Sequence, residues 1–117
     1  MEKTPEERYE RFCGRTLPVP ADPRGAYVPA VEHKGMMMVS GQTPSVRGEP
    51  QFQGRLGDSL DLEEGKAAAR IAIGNALGAL KAHLGDLSRV ARILQLVGYV
   101  RSTDDFTQHT EVIDGAS

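Results

Sequence analysis

Three histidines, His33, His83 and His109, stand far apart in the chain and form no recognisable pair. Phosphodiester cleavage by general acid–base catalysis asks for two such groups beside a basic groove. Metal chemistry has less to stand on, because no His, Cys or carboxylate group falls at ligand spacing. The single Cys13 belongs to no catalytic or metal-binding motif and reads as an inert thiol. Three consecutive methionines, Met36 to Met38, read as strand core and gap filler rather than a metal or redox site. The most informative residues are therefore two short segments, Gly25-Ala26-Tyr27-Val28-Pro29-Ala30 and Met38-Val39-Ser40-Gly41-Gln42-Thr43-Pro44. They combine two strand-like runs with an exposed tyrosine and a Ser-Gly-Gln corner, and few folds make that combination.

The elements around these segments can be read from local patterns. Glu6 to Phe12 fits one or two helical turns, with Tyr9 and Phe12 on one side. Pro18, Pro20 and Pro23 then impose an extended connection, since each disfavours helix for itself and for its predecessor. A strand is expected over Tyr27 to Glu32, a turn permitting positive φ at Lys34-Gly35, and an antiparallel return over Met36 to Ser40. Gly41 to Gly57, rich in Gly, Pro, Gln and Ser, reads as a loop with a short extended piece around Phe52. A long helix follows. Asp61 and Glu64 form a capping box, and Ala69, Ile73, Ala76, Leu77, Leu80 and Leu84 make one apolar stripe. Gly85 ends it. Gly74 and Gly78 inside the helix each cost about 1 kcal/mol in propensity relative to Ala, so they read as sites of close packing. Val90 to Arg101 places Ile93, Val97 and Tyr99 on one face and Leu94, Leu96 and Val100 on the other. A strand apolar on both faces is buried on both. The helix covers only one, so a neighbouring subunit is expected over the second. Ser102 to Asp105 offers caps for a second helix, barely begun at Ser117.

Composition bounds the function class. At 117 residues the chain is one domain with a modest burial fraction. Its net charge of −2 and pI of 5.9, with both signs interspersed, do not describe a polyanion-binding surface. One cysteine forms no intramolecular disulfide, which points to a reducing, cytoplasmic compartment. Met1 to Arg11 carries alternating charges without the apolar stretch of a secretory signal, and no apolar run approaches the ~20 residues that span a bilayer. A soluble globular protein is expected. No internal repeat, low-complexity tract or interdomain linker appears.

The opening hairpin resembles that of the RidA (YjgF) family, which also includes proteins named endoribonuclease L-PSP. Further matching segments are Leu62-Glu63-Glu64-Gly65-Lys66-Ala67-Ala68-Ala69-Arg70, Leu84-Gly85-Asp86-Leu87, Asp105-Phe106 and Ile113-Asp114-Gly115-Ala116-Ser117. The resemblance covers about residues 16–117. It implies an α+β fold, RidA-like (chorismate-mutase-like), with a mixed β-sheet packed on one face by helices and shortened at its C-terminus. Residues 1–24 would form an N-terminal extension and residues 25–117 the RidA-like domain. It further implies a homotrimer with small-molecule sites in the clefts between subunits, and no metal or organic cofactor.

Active members of that family hydrolyse enamine or imine intermediates of amino acids to keto acids and ammonia. An Arg on a strand after the second helix grips the substrate carboxylate, as a guanidinium fork suits, and a positioned water then attacks the imine carbon. In this sequence that strand has no counterpart. The positions carried over are Tyr27, Ser40, Gly41 and Gln42, with Asp114 where many members have Asn. Tyr27 serves equally well as a ligand-stacking phenol or as an ordinary strand tyrosine. Ser40 and Gln42 either orient water and ligand or stabilise the turn. Asp114 puts an anion where an amide is usual, which repels an anionic substrate. Arg24 and Arg101 are the remaining carboxylate-binding candidates, against the plainer reading of solvated side chains. Two functions stay open: an imine or enamine deaminase, and a non-catalytic ligand-binding or structural trimer. Endoribonuclease activity is the least favoured. Without the family Arg, these 117 residues are expected to hydrolyse 2-imino acids little faster than buffer.

Overall fold

The computed structural model describes residues 4–19 and 28–117. Along the chain run α1 (Pro5–Cys13), β1 (Ala30–His33), β2 (Met36–Val39), β3 (Ser45–Val46), β4 (Glu49–Pro50), α2 (Leu62–Leu84), a 3₁₀ turn (Leu87–Arg89) and α3 (His109–Ile113). Packing divides the chain into two units. One holds the described part of Met1–Gln42 with Gly74–Ile93, the other Thr43–Ile73 with Leu94–Ser117.

In the first unit, α1 begins at a capping box that the sequence reading did not include. Thr4 Oγ1 accepts from the Glu7 N–H at 3.1 Å, and the Glu7 carboxylate accepts from the Thr4 N–H at 3.4 Å. Gly14, at φ 70°, closes the helix by donating to Glu10 O. β1 and β2 pair antiparallel, from Ala30 opposite Val39 to His33 opposite Met36. The two-residue turn between them has Lys34 at φ 51° and Gly35 at φ 79°, the positive pair that matches the twist of a hairpin. The first strand thus starts at Ala30; Tyr27, placed at its expected start, lies outside the described residues, as does Arg24. Within the Met run, Met36 and Met38 are exposed and Met37 is half-buried, so these side chains do not build a core as expected. A strand paired on one edge alternates its side chains between two faces, and here the face bearing Met36 and Met38 is open.

The second half of α2 supplies this unit's core through Ala79 and Leu80, with Leu87 of the 3₁₀ turn. A Cβ on Gly74 would strike the Tyr9 hydroxyl, and one on Gly78 the carbonyl oxygen of Pro18. Close packing, the expected role of these two glycines, is what they serve. Of the expected apolar stripe, Leu80 is buried, while Ala69, Ile73, Ala76, Leu77 and Leu84 are half-buried.

In the second unit, β3 and β4 form a small antiparallel hairpin across Arg47 (φ 53°) and Gly48 (φ 79°). It occupies part of the expected loop. Phe52 sits at φ 55°, so no extended piece passes through it. Leu56 is the buried centre of this unit. Its N–H donates to Arg101 O at 3.1 Å and its carbonyl accepts from the Thr103 N–H at 3.0 Å, a parallel bridge to Ser102. The capping box of α2 forms as expected: Asp61 Oδ1 accepts from the Glu64 N–H at 2.8 Å, and Glu64 Oε1 from the Asp61 N–H at 3.1 Å. Gly65 admits the δ-carbons of Leu56 and a methyl of Val112, the buried residue of α3. Gly115 lies against the backbone of Lys66. The helix expected after Val90 to Arg101 is α3, and it starts at His109, later than the caps at Ser102 to Asp105 implied. The bridge to Leu56 holds 101–103 extended, and a turn at Asp104-Asp105 follows before helix can begin.

The α+β class stands, with two antiparallel pairs and isolated parallel bridges from Leu56 to Leu60 and Ser102. The expected strand over Val90 to Arg101 needs correction. No residue from 91 to 100 joins a ladder, and residues 91–99 are exposed; Ile93 is 63%, Val97 58% and Tyr99 95% accessible. A Cβ on Gly98 would meet the Ile113 side chain. An apolar run is buried on two faces only where elements lie on both, and among the described residues none does.

Candidate functional site

The Ser40-Gly41-Gln42 corner leaves the end of β2 in the first unit. Ser40 is pinned twice: its N–H donates to Pro29 O at 2.9 Å, and its hydroxyl donates to Val28 O. The hydroxyl proton is thereby committed, while the oxygen keeps acceptor capacity. Gln42 folds back so that Nε2 donates to Ser40 O at 3.1 Å, which leaves its Oε1 and second amide proton for another partner. Between them Gly41 faces open space, with nothing within 4 Å of where a Cβ would lie. Ser40 and Gln42 hold the turn, and the same two side chains present acceptors and one donor beside an unobstructed backbone.

Arg101 and Asp114 belong to the second unit. Arg101 is exposed, and its backbone carbonyl is held by the Leu56 N–H. Its guanidinium makes no ion pair among the described residues. Asp114 is the exposed cap residue after α3, its N–H donating to Thr110 O at 2.9 Å. Tyr27 and Arg24 lie outside the described residues.

One polar pair escaped the sequence reading. Ser102 Oγ lies 3.1 Å from His109 Nε2, and the Phe106 ring meets His109 edge-on at 5.2 Å and 76°. A separation of seven residues across an irregular turn carries no periodic signal, so nothing local announced it. His33 and His83 are exposed. No cluster of three or more His, Cys, Asp or Glu side chains that could hold a metal occurs among the described residues.

The most constrained ionisable group lies elsewhere. Glu6 Oε2 accepts from Lys81 Nζ at 2.8 Å and from the Leu87 N–H at 3.4 Å. The Glu6 side chain is 16% accessible and that of Lys81 42%. The Lys81 ammonium holds the Glu6 carboxyl below its ordinary value, with burial opposing. Burial pushes the Tyr9 phenol up, and Cys13 adds to that shift. The Glu6 carboxylate joins α1 to α2 and to the 3₁₀ turn. No helix among the described residues is long and apolar enough to cross a membrane.

The family profile described as "YjgF/chorismate_mutase-like, putative endoribonuclease" matches residues 9–117. Protein TCP17 of Trypanosoma cruzi is 39% identical over 104 residues, which are 89% of this chain; the match spans 65% of that curated relative's length. A crystal structure of a "putative endoribonuclease" from Shewanella oneidensis aligns with TM-score 0.90 at 36% identity, over 97% of this chain and 75% of that one. Atu1372, a protein of unknown function from Agrobacterium tumefaciens, aligns with TM-score 0.86 at 37% identity, over 95% of this chain and 67% of its own.

Proposed function

Because this chain belongs to the YjgF/chorismate-mutase-like family, we propose that it takes small amino-acid-derived imines, enamines or the keto acids they yield, rather than RNA. The observation that carries this reading is the Ser40-Gly41-Gln42 corner. Two intrachain hydrogen bonds hold Ser40 and one holds Gln42, their remaining lone pairs are unclaimed, and Gly41 leaves room for a ligand beside them. Such a corner orients a water or an imine nitrogen by hydrogen bonding, without itself supplying a nucleophile. The free guanidinium of Arg101, offered by a neighbouring protomer, is the group we assign to the substrate carboxylate. The assembly we propose is a homotrimer, which would cover the exposed face of Ile93, Val97 and Tyr99.

RNA cleavage, the activity in the name of the Shewanella relative, finds little support in a chain of net charge −2 with dispersed basic residues. His109, the one histidine with a described polar partner, faces Ser102 rather than a second acid–base group.

The test titrates pyruvate into labelled protein and follows backbone amides by NMR, alongside keto-acid release from an imino acid generated by an amino-acid oxidase. Shifts at Ser40 to Gln42 that disappear in Ser40→Ala and weaken in Arg101→Ala are expected. Hydrolysis by these 117 residues should exceed the buffer rate only slightly. RNA cleavage that copurifies with the protein and depends on His109, with the corner amides silent to pyruvate, would overturn the reading.

A further inference from the structure

The open face of the β1–β2 hairpin carries His33, Met36 and Met38, all exposed. Register brings them together. His33 stands directly opposite Met36 and Val31 opposite Met38, so the three side chains leave one face at its turn end. The turn at Lys34-Gly35, with both φ values positive, fixes that register. Met37 and its partner Glu32 alternate to the other face, where Met37 is half-buried. Neither exposed thioether fills a core: Met36 is 52% and Met38 65% accessible. The His33 ring has no hydrogen-bond, ion-pair or ring partner among the described residues. Across an antiparallel pair, opposite Cβ atoms lie about 4.5–5.5 Å apart and diagonal neighbours about 7–8 Å. Two thioether arms with three rotatable bonds each, and one imidazole, close that spread onto a single ion.

We propose that His33, Met36 and Met38 form a binding site for a soft monovalent metal ion, Cu(I). Thioether sulfur is a neutral, polarizable donor that selects soft ions, and imidazole serves beside it. Calcium and magnesium ask for oxygen ligands, and the three side chains offer none. Zinc asks for four nitrogen, thiolate or carboxylate donors, and the described His, Cys, Asp and Glu residues form no cluster of even three. The two methionines are what complete the set. Charge points the same way. A ligating imidazole is neutral, the thioethers are neutral, and Lys34 sits exposed in the adjoining turn. A singly charged ion meets half the repulsion from that ammonium that a divalent ion would meet. The ion takes no part in the imine chemistry proposed for the Ser40 corner; the site is a separate binding function of the same hairpin.

Two titrations of the 117-residue protein test the site. In one, Cu(I) kept reduced by ascorbate is shared between the protein and the chromogenic chelator bicinchoninate. In the other, Ag(I), a soft monovalent ion without redox chemistry, is added while the labelled methionine methyls are followed by NMR. The protein should withdraw one Cu(I) per chain from the chelator. Ag(I) should shift the methyls of Met36 and Met38 and leave that of Met37 in place. His33→Thr, Met36→Leu and Met38→Leu should each weaken Cu(I) binding by at least about tenfold, since even an outer partner of a metal ligand is worth about 10–100-fold. Leucine conserves the volume of methionine and threonine suits a strand, so the hairpin is retained in all three. Met37→Leu should bind as the parent does. Cys13→Ser removes the one thiol and should leave the stoichiometry at one. The proposal is overturned if the chelator keeps all the Cu(I), or if binding disappears in Cys13→Ser. It is equally overturned if the Met37 methyl shifts as far as its neighbours, or if His33→Thr binds as tightly as the parent. None of these readouts uses pyruvate or imine turnover, so they stand or fall independently of the Ser40 corner.

Discussion

Gly78→Ala and Gly74→Ala are the same chemical change on the same helix, and the structure separates them. Each replaces a mid-helix glycine and gains about 1 kcal/mol of helix propensity. The new methyl at position 74 meets the Tyr9 hydroxyl, the far end of a rotatable side chain whose Cζ lies 3.3 Å away. Swinging that ring off its preferred rotamer costs about 0.5–1.5 kcal/mol, so Gly74→Ala should change stability by less than about 0.5 kcal/mol in either direction. At position 78 the methyl meets the Pro18 carbonyl oxygen, with the carbonyl carbon 3.3 Å away. That obstacle is backbone, and relief requires moving the segment over the helix, an overpacking cost of about 1–3 kcal/mol. Gly78→Ala should therefore be destabilising by up to about 2 kcal/mol, and less stable than Gly74→Ala by about 1–2 kcal/mol. Urea unfolding at one fixed protein concentration, followed by far-UV circular dichroism, measures the difference. Tyr9→Phe sharpens it: without the hydroxyl, Gly74→Ala should recover nearly its whole propensity gain, while the cost of Gly78→Ala should not change. Equal stabilities for the two alanine variants, or a Tyr9→Phe effect on Gly78→Ala, would refute this account of how 16–19 and α1 lie on α2.

Further outcomes follow from single contacts. The Glu6 carboxyl is held below its ordinary value by Lys81, so its contribution to stability is present above the unfolded value near pH 4.3–4.5 and is lost as the pH falls through the lower folded value. Glu6→Gln should remove no more than about 1 kcal/mol at pH 7, since Lys81 is partly solvated, and should flatten the acid limb of a stability–pH curve. Asp61→Ala should cost about 1 kcal/mol and fray the first turn of α2, seen as faster amide exchange at Glu64. Gly115→Ala sets a methyl against Lys66 backbone, 2.9 Å from its Cα, and should lose about 1–3 kcal/mol, read as a lower urea midpoint. If the proposed trimer covers Ile93, Val97 and Tyr99, light scattering at micromolar concentration should give a mass well above 12.7 kDa.

What the sequence determined by itself is what lies within about four residues of its cause. Asp61 and Glu64 cap α2 because both partners of the box sit on one helical turn. Lys34-Gly35 makes the hairpin because the turn needs only its own two positive φ values, and Gly85 at φ 83° ends the helix by the same local freedom. The turn at Ser40-Gly41-Gln42 is local in the same way, since Gln42 bonds a residue two positions away; its reading as a ligand site came from the family resemblance. Tertiary structure decided the rest. Nothing near Gly74, Gly78 or Gly115 says which atoms approach them, since Tyr9, Pro18 and Lys66 arrive from distant stretches of the chain. The Ser102–His109 pair and the central place of Leu56 depend on how the chain closes between 56 and 103. The run from 90 to 101 shows the limit most clearly. Its alternating apolar residues demand cover on two faces, but a strand becomes part of a sheet only when other segments bring hydrogen-bonding edges beside it. Pattern states what a segment needs, and only the packing of the whole assembly supplies it.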